Sequence, residues 1–278
     1  MFQNQNKLLA PSQAGSRPGG AAPRNGLTLL ELLIAISIMV IVVAALGGLA
    51  KAVQLSAEYS EGHGSATQHA RVAMERISRT VNEATANKSF PGFIVLAEEQ
   101  GIWRFPDTLV IWNPKGLPAD PGGLPLFKEL VIYCPYPTDP GEPGNPKGLV
   151  EITEITLPGD SDSVPSTDDQ EAWRLKIARI KELVAERSDA CRVVTLTELL
   201  RTCPVPEAAG SLRGAVRFES KLSLVKGVWP EATDLHQAWL RMELQLMPGE
   251  TAASNDPGGQ QAIPFLGAAA LYYLAEKE

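Results

Sequence analysis

The sequence contains few of the side chains from which catalytic and metal sites are built. It has three histidines and three cysteines among 278 residues. It has no G-x-S-x-G nucleophile elbow, no H-E-x-x-H zinc motif and no P-loop. His63 and His69 are six residues apart, so they do not share a helix face, and His236 is far from both in sequence. We therefore expect no catalytic residues and no cofactor.

Positive charge is also scarce. The chain has 25 Lys and Arg residues against 32 Asp and Glu residues, which gives a formal net charge of −7. Non-specific binding to nucleic acid requires a basic surface. An acidic chain of this kind is therefore not expected to have a nucleic-acid partner.

One segment lacks charge almost completely. From Leu27 to Ala50 the only ionisable side chain is Glu31, and Lys51 ends the run. At about 1.5 Å per residue, the run would form a helix of roughly 36 Å, which is long enough to cross the hydrocarbon core of a bilayer. The sequence therefore predicts a single membrane-spanning helix.

The residues before this helix, 1–26, lack acidic side chains. They contain Lys7, Arg17 and Arg24. Because basic residues flanking a membrane helix stay in the cytoplasm, we expect the N-terminus to be cytoplasmic and the chain after Lys51 to cross the membrane. In a bacterial cell this gives a single-pass protein of the inner membrane with a periplasmic or extracellular head.

Glu31 is the unusual residue of the apolar run. A charge inside a spanning helix costs on the order of 2.5 to 3.5 kcal/mol, and no basic residue of the run is available to pair with it. Cleavage after Gly26 would create an α-amino group at Leu27, about 6 Å along the axis from Glu31. That amine would pair with Glu31 of its own chain or of a neighbour. The alternative is a glutamate that reaches the interface or stays protonated.

The segment Gly26-Leu27-Thr28-Leu29-Leu30-Glu31, with its basic leader and apolar helix, resembles the class III signal of type IV pilins and type II secretion pseudopilins. The resemblance implies cleavage by prepilin peptidase between Gly26 and Leu27, followed by N-methylation of Leu27. Leu27 departs from the Phe or Met that the family usually has. Glu31 corresponds to the family's glutamate at the fifth mature position, which neutralises the N-terminal amine of a neighbouring subunit.

The resemblance also implies the partners. They are other pilin or pseudopilin subunits, the prepilin peptidase, the inner-membrane assembly platform and the lipid bilayer. Loss of the three basic leader residues would lower the formal charge from −7 to −10.

Residues 51–88 are predicted to form an amphipathic second half of the same helix, and Gly62-His63-Gly64 is expected to interrupt it. An apolar stripe recurs at three- and four-residue steps, which is typical of a helix that packs against a head. The stripe consists of Ala66, Ala70, Ala73, Ile77, Val81 and Ala84. The Arg71–Arg79 segment most resembles J-type minor pseudopilins.

Residues 89–278 are predicted to form a β-rich head, because apolar runs alternate with Pro- and Gly-rich turns. The expected strands are Phe93–Leu96, Thr108–Trp112, Leu130–Cys134, Leu149–Leu157, Val216–Leu224 and Trp239–Leu246. In the last, Leu240, Met242 and Leu244 alternate with polar residues, which predicts one buried and one solvated face.

A helical insertion is expected near 167–189. Thr167 with Gln170 could cap it, and its apolar stripe is Trp173, Ile177, Ile180 and Val184. The overall prediction is an α+β fold, with a long N-terminal helix packed on a C-terminal antiparallel β-sheet head, as in pilins.

Two further groups of side chains are candidate sites. Asp160, Asp162, Asp168 and Asp169 are candidate Ca²⁺ ligands, but their spacing is not that of an EF-hand, and Asp168-Asp169 suits a helix N-terminus. No metal is assigned on this basis. Cys191 and Cys203 are the closest of the three cysteines in sequence and are disulfide candidates; small core residues are the alternative.

These patterns favour assembly over catalysis. The leading hypothesis is a minor pilin-like (pseudopilin) subunit of a type II secretion or type IV pilus-like filament. The alternative is an exported adhesin or a ligand-binding or enzymatic head on a pilin-type anchor. Exposed tryptophans would serve adhesion, although burial in the core is their commoner fate. They are Trp103, Trp112, Trp173, Trp229 and Trp239.

Overall fold

The fold is taken from a computed structural model that describes residues 28–100, 103–136, 148–157, 164–201, 205–206, 212–213, 215–224, 235–248 and 262–274. The chain divides into two compact units, Met1–Gln54 and Leu55–Glu278. One long helix, α1 (Leu29–Asn82), begins in the first unit and ends in the second.

The described part of the first unit is the apolar portion of α1. Its most apolar 18-residue window has a mean hydropathy of 2.9, and none of this window is buried inside the protein. A core helix of a soluble protein would bury such a surface. Length, composition and exposure together fit a membrane-anchored protein.

In the second unit, α1 has the predicted apolar stripe. Ala66, Ala70, Ala73, Ile77 and Val81 are fully buried. The expected interruption at Gly62–Gly64 is wrong, because α1 continues through it. Two glycines cost about 1 kcal/mol each relative to alanine, but good helix formers on both sides make the helix cooperative enough to continue.

The larger sheet has five strands and packs on α1. Its strands follow the order β1-β2-β3-β4-β5, and each pairs antiparallel with its neighbour. The strands are β1 (Phe93–Gln100), β2 (Trp103–Trp112), β3 (Leu130–Tyr136), β4 (Gly148–Thr153) and β5 (Arg192–Thr197). A 3-10 helix, Phe127–Glu129, precedes β3.

A second helix, α2 (Gln170–Ala185), lies in the connection between β4 and β5, as the predicted insertion requires. Asp169 caps it by accepting a hydrogen bond from the Ala172 amide at 3.0 Å, so the predicted cap at Thr167 is wrong. The buried stripe is that predicted, except that Leu183 is buried and Val184 only partly so.

The two faces of the five-stranded sheet belong to different cores. Leu109, Ile111 and Tyr133 share a buried cluster with the α1 stripe. The residues between them in the strands face α2, where Val110 and Ile132 pack with Trp173. This alternation follows from the two-residue period of a strand.

The remaining described strands form two small antiparallel sheets. The order in the three-stranded sheet is β10-β9-β8, and its inner face shares the α1 core through Phe218, Leu240 and Met242. The strands are β6 (Val205–Pro206), β7 (Leu212–Arg213), β8 (Val216–Leu224), β9 (Leu235–Leu246) and β10 (Ile263–Leu274), with β6 and β7 paired together. The predicted α+β fold, a long helix followed by an antiparallel head, is confirmed.

The expected solvated face of β9 is only partly solvated. Leu240, Met242 and Leu244 are buried as predicted, and Arg241 is exposed. Glu243, however, is only 5% exposed, and it accepts a hydrogen bond at 3.3 Å from the side-chain amide of Gln245, which is also buried. The alternation in β9 therefore predicts the buried face correctly, but the opposite face is also buried at Glu243 and Gln245.

Gly92 provides a test of the packing between the start of β1 and β10. Its φ is +86°, and a Cβ added there would collide with Leu271 Cδ2 and lie 3.2 Å from the Cβ of Ala86. We expect Gly92→Ala to lower the free energy of unfolding by about 2–4 kcal/mol, from backbone strain and overpacking. Guanidinium unfolding of the detergent-solubilised chain, followed by tryptophan fluorescence, measures the change.

Gly116→Ala is the matched control for this substitution. A Cβ there meets no atom within 4 Å, and we expect a change within about 0.5 kcal/mol. Equal effects of the two substitutions would contradict the packing described for Gly92.

Candidate functional site

The N-terminal junction is described from Thr28 onward, and its central feature is a capping box. The Thr28 amide and hydroxyl donate to Glu31 Oε2 at 2.9 and 3.1 Å. In return, the Glu31 amide donates to Thr28 Oγ1 at 3.2 Å. Thr28 and Glu31 therefore satisfy each other's amides where α1 begins.

The capping box gives Glu31 partners that the sequence analysis did not identify. The spacing Thr-x-x-Glu was visible in the sequence, and it is the usual signature of a capping box. A carboxylate accepts several hydrogen bonds, so Glu31 can cap its own helix and still offer an oxygen to an incoming amine. Gly26 and Leu27, the predicted processing residues, lie outside the described residues.

A partly buried polar network joins α1 to the five-stranded sheet. Arg76 binds Glu151 through two hydrogen bonds, Nε to Oε2 and Nη2 to Oε1, each 2.8 Å long. The hydroxyl of Tyr133 donates to Glu151 Oε2 at 2.9 Å and lies 2.8 Å from Thr80 Oγ1. Every polar side chain of the network has a partner, so it fixes how α1 lies on β3 and β4.

The network shifts the pKa values of its members. Burial acts to raise the pKa of Glu151, but hydrogen bonds from Arg76 and Tyr133 outweigh it and hold that pKa below its usual range. Burial raises the pKa of Tyr133 above its ordinary value. The hydrogen bond to Glu151 raises the pKa of Arg76. The carboxylate is therefore ionised at neutral pH, and the phenol stays protonated.

Of the four candidate calcium ligands, the structure describes only Asp168 and Asp169. Asp160 and Asp162 lie outside the described residues, and Asp169 caps α2. Among the residues that the structure describes, no three His, Cys, Asp or Glu side chains are grouped to hold a metal ion.

The predicted disulfide stays a prediction. Cys191 is half-buried and forms no disulfide with a described residue, whereas Cys203 lies outside the described part of the chain. Burial raises the pKa of the Cys191 thiol, so at neutral pH this group is mostly uncharged. Cys134 is buried in the core between the five-stranded sheet and α2, as the alternative interpretation expected.

Two of the five tryptophans that could serve adhesion belong to the core. Trp112 and Trp173 are fully buried, and Trp112 donates to Glu129 Oε2 at 3.2 Å. Trp239 is 38% exposed. The side chains of Trp103 and Trp229 lie outside the described set. Burial therefore removes two of the five side chains that would form an adhesive aromatic surface.

Comparison with known proteins bears on the junction. Residues 22–47 match the prokaryotic N-terminal methylation motif. This match covers the segment with the capping box, and it confirms the resemblance to the type IV pilin and pseudopilin family. The chain carries the N-terminal signal of a pilin- or pseudopilin-type precursor, and proteins with this motif are typically structural subunits rather than enzymes. No curated protein and no solved structure matches the chain. The J-type assignment stays a prediction.

The Arg76–Glu151 contact predicts acid-sensitive stability. Because the pKa of Glu151 is lowered on folding, its contribution is present above the ordinary glutamate pKa of about 4.3 and is lost as the pH falls through the folded value. At pH 7 we expect Glu151→Gln to cost about 2 kcal/mol of unfolding free energy. The gap between variant and wild type should narrow as the pH falls below the ordinary glutamate pKa. Guanidinium unfolding at each pH measures it.

Glu154→Gln is the control for this titration. Glu154 is a nearby carboxylate that pairs with Lys115 at the surface, so its loss should matter far less at every pH. A wild-type to Glu151→Gln gap that does not change between pH 7 and pH 3 would contradict the role given to the ionised carboxylate.

Proposed function

We propose that the chain is a minor pilin-like (pseudopilin) subunit that assembles through its N-terminal helix into a type II secretion or type IV pilus-like filament. Prepilin peptidase cleaves it after Gly26, and Leu27 is then N-methylated. The head, residues 89–278, lies on the periplasmic or extracellular side of the inner membrane. Its partners are other subunits and the assembly platform.

The observation that carries this proposal is the methylation motif at residues 22–47 on a membrane-length helix with one carboxylate. An ordinary membrane anchor needs no carboxylate at this position, since any buried charge adds to the cost of insertion. A neighbour's N-terminal amine is the partner that would offset that cost in a filament. The capping box holds Glu31 at the start of the helix, where such an amine would meet it.

The alternative function is an adhesive, ligand-binding or enzymatic head on a pilin-type anchor. It draws less support, because Trp112 and Trp173 serve the core and the described residues contain no metal cluster. We therefore retain the filament subunit as the primary proposal.

Substitutions at the capping box test this proposal by separating the two roles of Glu31. Glu31→Gln keeps a side-chain oxygen that can cap Thr28 but removes the charge. We expect this variant to be inserted but to enter filaments at least about tenfold less often, because the neighbour's amine is left unpaired in an apolar core. The measurement is the fraction of tagged chain recovered in sheared filaments from cells with the native machinery.

Thr28→Val is the matched control, because it removes the hydroxyl half of the capping box and keeps the carboxylate charge. This variant should enter filaments almost as wild type does. If Glu31→Gln assembles normally, the charge is not needed and the proposed role is wrong. If Thr28→Val fails as severely as Glu31→Gln, the defect is not specific to the charge, which also contradicts the proposed role.

A further inference from the structure

A groove runs beside α1 on the five-stranded sheet. Val194 of β5 pairs with Glu151 and so lies on the same side of the sheet as α1, yet it is 39% exposed. One helix is too narrow to cover five strands, so this side of β4 and β5 stays open. The resulting cavity has a volume of about 380 Å³, and we call it the basic groove.

The basic groove differs in charge from the rest of the molecule. Five basic and three acidic side chains line it, although the whole chain has a net charge of −7. Glu151 forms an ion pair with Arg76, and Glu154 forms ion pairs with both Lys115 and Arg192. Arg79 and Lys128 have no ion-pair partner among the described residues. Glu83, four residues after Arg79 on α1, is the third acidic side chain of the lining, so the groove as a whole has a net charge of +2.

The complementary surface is on α1 of the same chain. Glu58 and Glu61 are the only Asp, Glu, Lys or Arg residues between Lys51 and Arg71, and both are exposed. They are three residues apart, so they lie on one face of the helix. Leu55 and Tyr59 beside them are 56% and 61% exposed. We call residues 55–61 the acidic segment; it offers carboxylates for the cations and apolar surface for Val194.

We propose that the basic groove of one copy binds the acidic segment of a second copy. Glu61 and Arg79 are 18 residues apart on α1, so pairing them between parallel copies staggers the helices by about 27 Å. Two copies that both span a bilayer are not staggered so far, so this inference rests on the proposed function, in which the helices pack together in a filament. Two different surfaces that meet in this way repeat without closing, which is the geometry of a filament.

The consequence concerns how the subunit is used. A contact between two unlike surfaces of one chain allows copies to follow one another along a filament. The subunit would then occur in runs of consecutive copies and not as a single copy.

Zero-length cross-linking tests the contact. Cells with the native peptidase and assembly machinery are shifted from ¹⁴N to ¹⁵N medium while the chain is expressed, so that chains of both labels enter the same filaments. Carbodiimide then joins paired carboxylates and amines. We expect mixed-isotope peptides that join Lys128 to Glu58 or Glu61. The surface pair Lys115–Glu154 provides the internal standard, since it should link within one chain.

Charge variants sharpen the test. Arg79→Glu leaves both reacting residues in place, and we expect it to reduce the mixed-isotope link about tenfold, because it puts like charges together. Adding Glu61→Arg restores opposite charges and should restore the Lys128–Glu58 link. Arg179→Glu on α2 is the matched control and should leave the link unchanged, and the Lys115–Glu154 standard reports that each variant is folded.

The contact is wrong if the Lys128 links are absent, are of single isotope or reach another protein. It is also wrong if Arg79→Glu and Arg179→Glu act alike or if the charge exchange fails to rescue. Intact mass of the same samples reports cleavage after Gly26. Loss of the link in correctly cleaved chain contradicts this contact alone, whereas chain that keeps residues 1–26 contradicts the proposed function and this contact with it.

Discussion

The head depends on the small side chains along one face of α1. Ala66, Ala70 and Ala73 are fully buried in a core shared by the five-stranded and three-stranded sheets. Because the alanine side chain is small, both sheets can approach α1 closely. Larger side chains at these positions would push the sheets away from the helix. Arg76 and Thr80 extend from the next face and bind Glu151 and Tyr133, so packing sets the distance of α1 from the sheet and the polar network sets its rotation.

The apolar end of α1 presents a different physical problem, which is one carboxylate in a segment made for lipid. The capping box satisfies the first amides of the helix, and it explains why Glu31 is tolerated close to the helix start. Capping alone does not require a charge, since a capping box accepts Gln as well as Glu at the position that Glu31 occupies. A carboxylate that caps the helix and can also pair with a neighbour's N-terminal amine accounts for both the charge and the position of Glu31.

Sequence patterns predicted the fold where one periodicity dominated a segment. The stripe from Ala66 to Val81 and the alternation in β9 gave the α1 core and the inner face of a sheet. By contrast, β10 was missed, because its Gly267-Ala-Ala-Ala270 centre has little intrinsic strand preference and is held by pairing with β9. The Arg76–Glu151 pair joins residues 75 apart, and no local pattern reports such a contact. The capping box, by contrast, has a local signature in the sequence, which is the Thr-x-x-Glu spacing of Thr28 and Glu31.

Cleavage at the junction is the most direct test of the account, since membrane insertion, charge pairing and assembly all follow from it. The measurement is the intact mass of membrane-extracted protein, wild type beside Gly26→Ala, from cells with the native prepilin peptidase. We expect wild-type chain that lacks residues 1–26 and carries one added methyl group, and a variant that keeps its leader. Wild-type chain that retains the leader, or that is cut near Ala50 on the outer side, would contradict the account and indicate an ordinary anchored or secreted protein.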